Sequence, residues 1–318
     1  MYTESPKPAT GVLLGPQRLA VTVDAELDAL QVDGPVAMIT CGWQEREEED
    51  RELHDALGKR AVNLNLHARG DAVFLDDREL RDAHRAKQDR LRQLQVLYRG
   101  RVEHAVAAVF DLQAARGPAD LIASEITAAI EAIRLVDRQH LARVTLLNRD
   151  YEDEMSPSSR PVVAGHREEI AEILSGCGAV AIAGGNVATL LNRLRLFGLD
   201  ELLVGRTILA WSAGAMALTD RIVLFHDSPP QGRGNAEILD AGLGLFPSLV
   251  ALPHARRRLL LDDRRRVSLF ARRFAPARCV TLDERSRLLC DGEKYRAGSV
   301  TRALCDGGDV VALETWSL

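Results

Sequence analysis

The stretch ILAWSAGAMALTD, residues 208–220, carries a single serine between an apolar run and a string of helix formers. A serine hydroxyl becomes a nucleophile when a sharp strand-to-helix turn lifts it above a sheet, near a base and near backbone N–H donors. Such a turn tolerates only small residues two positions before and two after the serine. Here those positions are Ala210 and Gly214, with Ala213 following Ser212 directly. The helix that opens there offers unpaired N–H groups and the positive end of its dipole to a developing oxyanion. Serine is also a favoured helix N-cap. By itself the stretch is therefore open to both readings, nucleophile elbow and cap.

Three other segments bear on the choice. AIAGGN, residues 181–186, reads as a strand that ends in Gly184 and Gly185 where a helix begins. Glycines at that point let the backbone approach a ligand closely and turn an N–H toward it. In FPSLVALPHARRR, His254 follows an apolar run and a proline at the end of a second strand, where it could serve as general base for Ser212. Two carboxylates could orient that histidine. Asp227 in LFHDSPP ends the strand after the serine's helix, and Glu284 in TLDERS ends the strand after the histidine's helix. The arginines that follow, Arg256, Arg257 and Arg258, could pair with a substrate carboxylate or form a solvated helix face.

These residues need elements to hold them. Residues 1–34 are expected to be an irregular lead-in, and PVAMITCGW (35–43) to be the first buried parallel strand. The acidic segment after it reads as a helix, and AVNLNL (61–66) as a strand. Residues 68–142 are rich in Ala, Leu, Arg, Glu and Gln, with apolar residues at three- and four-residue steps. That predicts a helical insertion of two or three helices, broken near Gly100 and at 116–118, packed on the sheet or forming a homodimer surface. After MSPSSRP, a loop, strands and helices alternate to the C-terminus, where short β segments close the chain. The pattern predicts an α/β fold with a mostly parallel sheet covered on both faces and a small C-terminal antiparallel extension. In such folds ligands bind at the carboxyl ends of the strands, and every candidate above sits at one.

Composition narrows the classes. With 318 residues, 46% hydrophobic and 27% charged, the chain can bury a sizeable core. A net charge of −5 gives no reason to expect a nucleic-acid or anionic-membrane partner. No run of about 18 apolar residues is present to span a bilayer, and MYTESPKPATG lacks the apolar stretch of a secretory signal. The five scattered cysteines have no metal-ligand spacing, which points to reduced thiols and a cytoplasmic location. Cys41, ending a strand, reads as a buried structural thiol or a reactive one.

Taken together, GGN at 184–186, WSAGAMA at 211–217, HD at 226–227, GLGLFPSLVALPHARRR at 242–258 and LDERSRLL at 282–289 resemble the cyanophycinase and dipeptidase E family. These are serine peptidases of the class I glutamine amidotransferase-like, flavodoxin-like fold. The resemblance covers roughly residues 160–290, leaving 68–142 as an insertion within one domain spanning 1–318. It implies a three-layer α/β/α sandwich, Ser212 as nucleophile, His254 as base, and the Gly185 and Ala213 amides as oxyanion hole. It favours Asp227 over Glu284 as the orienting acid. Gly184, Asn186, Trp211 and Arg256 would line the substrate. The chemistry implied is acyl-enzyme hydrolysis of an amide in a small peptide or isopeptide, with no cofactor and no metal. Where the cyanophycinases carry Asp-Gln before the histidine this chain has Leu252 and Pro253, which argues against cyanophycin-like recognition. Trp211 replaces a small or hydroxylated residue, and either lines the substrate cleft or packs under the sheet. The competing classes are a non-catalytic binding or assembly protein on the same fold, and an amidotransferase-like enzyme, against which the serine in the usual cysteine position argues.

Overall fold

A computed structural model describes residues 10–227 and 234–317. The main sheet has eight strands. Five run parallel, in the order β3 (Ala61–Asn63), β2 (Val36–Ile39), β4 (Ala179–Ile182), β5 (Thr207–Trp211) and β1 (Thr10–Leu14). Beyond β1 the sheet continues antiparallel through β10 (Arg287–Cys290), β11 (Lys294–Ala297) and β14 (Trp316–Ser317). Every residue of β2 and β4 is buried, as expected for parallel strands covered on both faces. The α/β architecture and the antiparallel C-terminal extension match the reading from sequence.

Helices cover the faces. α1 (Val23–Ala29) and α2 (Arg51–Ala56) follow β1 and β2; α6 (Pro161–Ser175) precedes β4 and α7 (Val187–Leu196) and α8 (Leu199–Leu202) follow it. α9 (Ala213–Ala217) follows β5. A second sheet holds β8 (Leu249–Pro253) parallel to β9 (Arg278–Leu282), with β12 (Arg302–Leu304) and β13 (Val310–Ala312) antiparallel beyond them. α10 (Ala255–Arg258) and α11 (Arg264–Phe274) connect β8 to β9. A two-stranded ribbon, β6 (Arg221–Leu224) with β7 (Glu237–Ala241), lies between the two sheets in the chain. His254 therefore sits on a different sheet from Ser212, which alternation alone did not distinguish. One apolar cluster nonetheless runs from Leu13 and Ile182 of the main sheet to Val250 and Val280 of the second.

Three expectations are corrected. The lead-in contains β1, whose residues GVLL pair with β5 and β10 at the centre of the sheet; residues 1–9 lie outside the described residues. The acidic segment after β2 is a 3-10 turn (Cys41–Arg46) and the short α2, and β3 stops at Asn63 because Leu66 already opens α3 (Leu66–Asp76). The insertion is longer than 68–142. α3 leads into a hairpin of two 37-residue helices, α4 (Arg78–Ala114) and α5 (Ala119–Met155), and α4 runs through Gly100, where a side chain would meet open space.

The hairpin is welded to the body by buried polar groups. Arg273 on α11 makes two parallel bonds to Asp137 on α5, at 2.7 and 2.8 Å, and both side chains are almost fully enclosed. Tyr98 on α4 donates to Asp137 at 2.8 Å, accepts from Arg273 at 3.0 Å, and accepts from the Ile238 N–H of β7 at 3.1 Å. A second weld joins Asn148 of α5 and Arg195 of α7 to Asp240 of β7. Removing one partner from a buried pair strands the other charge in a low dielectric, which costs about 3–5 kcal/mol. Asp137→Ala is accordingly expected to lose about that much unfolding free energy in a chemical denaturation series, and a loss near zero would show that the weld contributes nothing net.

Candidate active site

Ser212 links β5 to α9 without a spacer. Its backbone has φ +53° and ψ −124°, a left-handed conformation rare outside glycine. Neighbouring backbone enforces it. A Cβ on Gly214 would meet the Ile182 and Ala183 carbonyls at 2.4 and 2.8 Å, and one on Gly184 would meet the Ser212 Cβ and Oγ at 2.8 and 2.9 Å. The Ser212 side chain makes no capping hydrogen bond to α9. Its Oγ instead lies 3.4 Å from His254 Nε2. Between the two readings left open by the residue types, the cap is the one the geometry disfavours.

Beside Ser212, three turns are in contact. Gly185 has φ +113°, and a Cβ there would fall 2.2 Å from the Gly42 carbonyl oxygen. That carbonyl also accepts the Asn186 N–H at 2.6 Å. Gly42, at the end of β2, is thus part of the site; the signal for it in the sequence was the glycine closing PVAMITCGW. Ala213 is the first residue of α9, so its N–H is one of that helix's unpaired donors. The Asn186 side chain is engaged otherwise. Its Oδ1 accepts the Thr189 N–H at 3.0 Å and caps α7.

His254 ends β8 with φ +56° and caps α10 only through its backbone. Partial burial pushes its imidazole below the usual value, and the Arg258 and Arg257 cations push it the same way. Glu284 opposes them and is the carboxylate that acts on His254. Asp227 does not reach it. The Asp227 carboxylate is paired with Arg266 and accepts the Leu260 N–H at 3.1 Å, while its own N–H donates to the Arg258 carbonyl at 2.7 Å. It braces the turn after α10 and makes no hydrogen bond to the imidazole among the described residues. Asp227, the acid favoured from the sequence, is engaged with Arg266 and Leu260, while Glu284 lies exposed just beyond β9.

Burial and exposure distinguish the two other candidate residues, Trp211 and Arg256. Trp211 is 6% exposed and packs with Leu14, Leu53 and Leu57 under the main sheet, because consecutive strand residues face opposite sides and Ala210 takes the other layer. Arg256 is 73% exposed, its side chain 4.0 Å from Asp283, whose carboxylate accepts the Arg256 N–H. Arg258 is the half-buried member of the run, and its charge is felt by both His254 and His226. Cys41 is fully buried, and burial raises its thiol far above the reactive range, so it is a structural thiol. No group of three or more metal-ligating side chains occurs among the described residues, and none of their helices is long and apolar enough to cross a membrane.

Comparison with known proteins agrees with the motif reading. No curated protein matches the chain. A solved structure, the crystal structure of a peptidase from an acI-B1 Actinobacterium, is 12% identical, with 98% of this chain and 100% of that one covered and a TM-score of 0.46. Residues 146–298, the segment that carries Gly184, Ser212, His254 and Glu284, match the model of Peptidase family S51.

Proposed function

We propose that the protein hydrolyses an amide bond of a small peptide or isopeptide through an acyl-enzyme on Ser212. The observation that carries this reading is the uncapped Ser212 hydroxyl, held in a strained elbow 3.4 Å from His254 Nε2. Separations of that size tighten when substrate binds. His254 takes the Ser212 proton as Oγ attacks the carbonyl carbon. The tetrahedral oxyanion is received by the Gly185 and Ala213 N–H groups. His254 then returns the proton to the leaving amine, and a water deprotonated by the same imidazole attacks the acyl carbon and frees Ser212.

In this reading Glu284 is the third member. Its role is electrostatic, favouring the imidazolium that forms while Arg257 and Arg258 disfavour it. The opposition has a use, since an imidazole held neutral below its ordinary value is already a base at neutral pH. Arg258 is the residue we assign to an anionic group on the substrate, because burial strips its guanidinium of part of its water and leaves the charge available. The mechanism calls on no metal and no organic cofactor. The compartment expected from the cysteines is cytoplasmic, and the hairpin is the surface on which a homodimer would form.

A fluorophosphonate probe tests the chemistry. Wild type is expected to label at Ser212 and Ser212→Ala not at all; equal labelling of the two would instead favour a binding protein on this fold. The pH profile of the labelling rate tests the acid. Neutral His254 is the active form, so activity falls as pH drops through its depressed value, below 6.5. Glu284→Gln removes an influence that raises that value and should shift the acid limb to lower pH. Arg258→Gln removes one that lowers it and should shift the limb to higher pH. Asp227→Asn should leave the limb in place while lowering the denaturation midpoint, since it strands Arg266. A limb that moves with Asp227 and not with Glu284 would reverse the assignment.

A further inference from the structure

A second cleft, of about 420 Å³, opens at the base of the helical insertion, between α3, the first turns of α4, and α7. Its volume is that of a small-molecule site. None of the residues so far assigned to catalysis lines it. Three guanidiniums do, from Arg81, Arg85 and Arg193, against the one carboxylate of Asp71. Asp71 answers Arg193 at 2.7 Å, and Asp82, outside the cleft, answers Arg81 at 2.9 Å. The balance that remains is positive.

Arg193 gives the site its direction. It is nine-tenths buried, and while its Nη2 is paired with Asp71, its Nε has no hydrogen-bond partner. That N–H is enclosed against Gly70, where an added Cβ would fall 2.3 Å from it, so the cleft meets the charge of the guanidinium rather than its Nε. The surrounding field favours an anion. His84, whose ring lies in the cleft wall, is held neutral, its value pushed down to about 3 by burial and then by Lys87 and Arg193, both cations. Lys87, behind it, is itself buried over the Tyr151 ring at 3.9 Å.

The rest of the wall is apolar. The Phe74 and His84 rings meet at 4.9 Å between centroids and 34° between planes, and the Arg193 guanidinium lies 5.2 Å from the Phe74 centroid. Beside them Leu75 is 75% exposed, a large side chain left in water at the rim. A small oxyanion would satisfy Arg193 and leave these surfaces wet. An anion with a flat or hydrocarbon body would cover them.

We infer that this cleft is a second binding site, for an organic anion whose acidic group meets Arg193 and Arg85 and whose apolar body lies on Phe74, His84 and Leu75. Arg193 belongs to α7, which Gly185 and the N-cap Asn186 lead into, so an occupant would bear on the helix that leads away from that turn. The site does not depend on the hydrolytic reading.

Anilinonaphthalene sulfonate, an aromatic anion that fluoresces when sheltered from water, is a direct probe, titrated into the full-length chain. Saturable one-to-one binding is expected, weakened about tenfold in Arg193→Gln and severalfold in Arg85→Gln. Arg85 is exposed on α4, so its variant folds even if the Arg193 variant does not. Arg258→Gln should bind the dye as wild type does, and inorganic phosphate should compete poorly. Binding indifferent to both Arg193 and Arg85, or lost with Arg258 alone, would overturn the proposal by placing the dye elsewhere. Phosphate displacing the dye at equal concentration would overturn the apolar half of it.

Discussion

Three backbone turns meet at the carboxyl edge of the main sheet with no room for a side chain between them. The Gly42 carbonyl presses on Gly185, Gly184 presses on Ser212, and Gly214 presses on the strand carbonyls of Ile182 and Ala183. Close contact of this kind fixes conformation more rigidly than side-chain packing does, because backbone cannot rotate out of the way. It holds Ser212 at a positive φ that an isolated chain would leave. The parallel registers of β2, β4 and β5 bring the turns level, so the sheet is the jig on which the elbow is assembled. Left-handed residues recur beyond other strands, at Gln44 after β2 and at His254 and Arg285 after β8 and β9 of the second sheet. Gln44, with φ +59° and ψ −127°, repeats the Ser212 conformation almost to the degree and anchors its side chain on Thr189 of α7. Strain is thereby concentrated where backbone donors must face outward.

The electrostatics of the site come from a different part of the molecule. His254 stands on the second sheet, and the α10 segment that follows it puts Arg257 and Arg258 beside the imidazole. Burial first and then these cations lower the imidazole's value, while Glu284, just beyond the adjacent parallel strand β9, raises it. Asp227 contributes by position alone. Its pairing with Arg266 and its bonds to residues 258 and 260 fix the turn that carries Arg258. One carboxylate tunes the histidine and another holds the cations that tune it in the opposite sense.

Much of this was legible in the residues, for physical reasons that also mark the limits. Small residues around Ser212 and the Gly-Gly at 184–185 could be read because steric exclusion acts over two or three positions, a range a linear sequence exposes. The strands β2, β4 and β5 could be read because burial on both faces demands an unbroken apolar run. The central strand β1 was missed although GVLL is such a run, because it is only five residues long among glycines and prolines and the helix that follows it, α1, has only seven. Choosing between Asp227 and Glu284 lay beyond the sequence. Both end strands on the active edge, and only the tertiary position of Arg266 decides which carboxylate is already engaged. Trp211 follows from strand alternation once Ala210 is known to face the other layer, so its burial was implicit in the pattern.

The insertion shows how a polar interface can specify position where an apolar one would not. An amphipathic hairpin laid on a hydrophobic surface can slide by a turn at little cost, since apolar contacts are interchangeable. The Tyr98, Asp137 and Arg273 cluster has one geometry in which every donor finds its acceptor, tied to α11 and to the β7 backbone at once. A slip of one turn would leave a carboxylate and a guanidinium buried apart, which is a far larger penalty than a displaced leucine. The same logic explains why Asp240 collects Arg195 from α7 and Asn148 from α5 at a second point. Two such points along the hairpin fix its angle as well as its register. Because one of them is on α7, the helix leading away from the Gly185 turn is referenced to the hairpin, and the hairpin to β7 and α11.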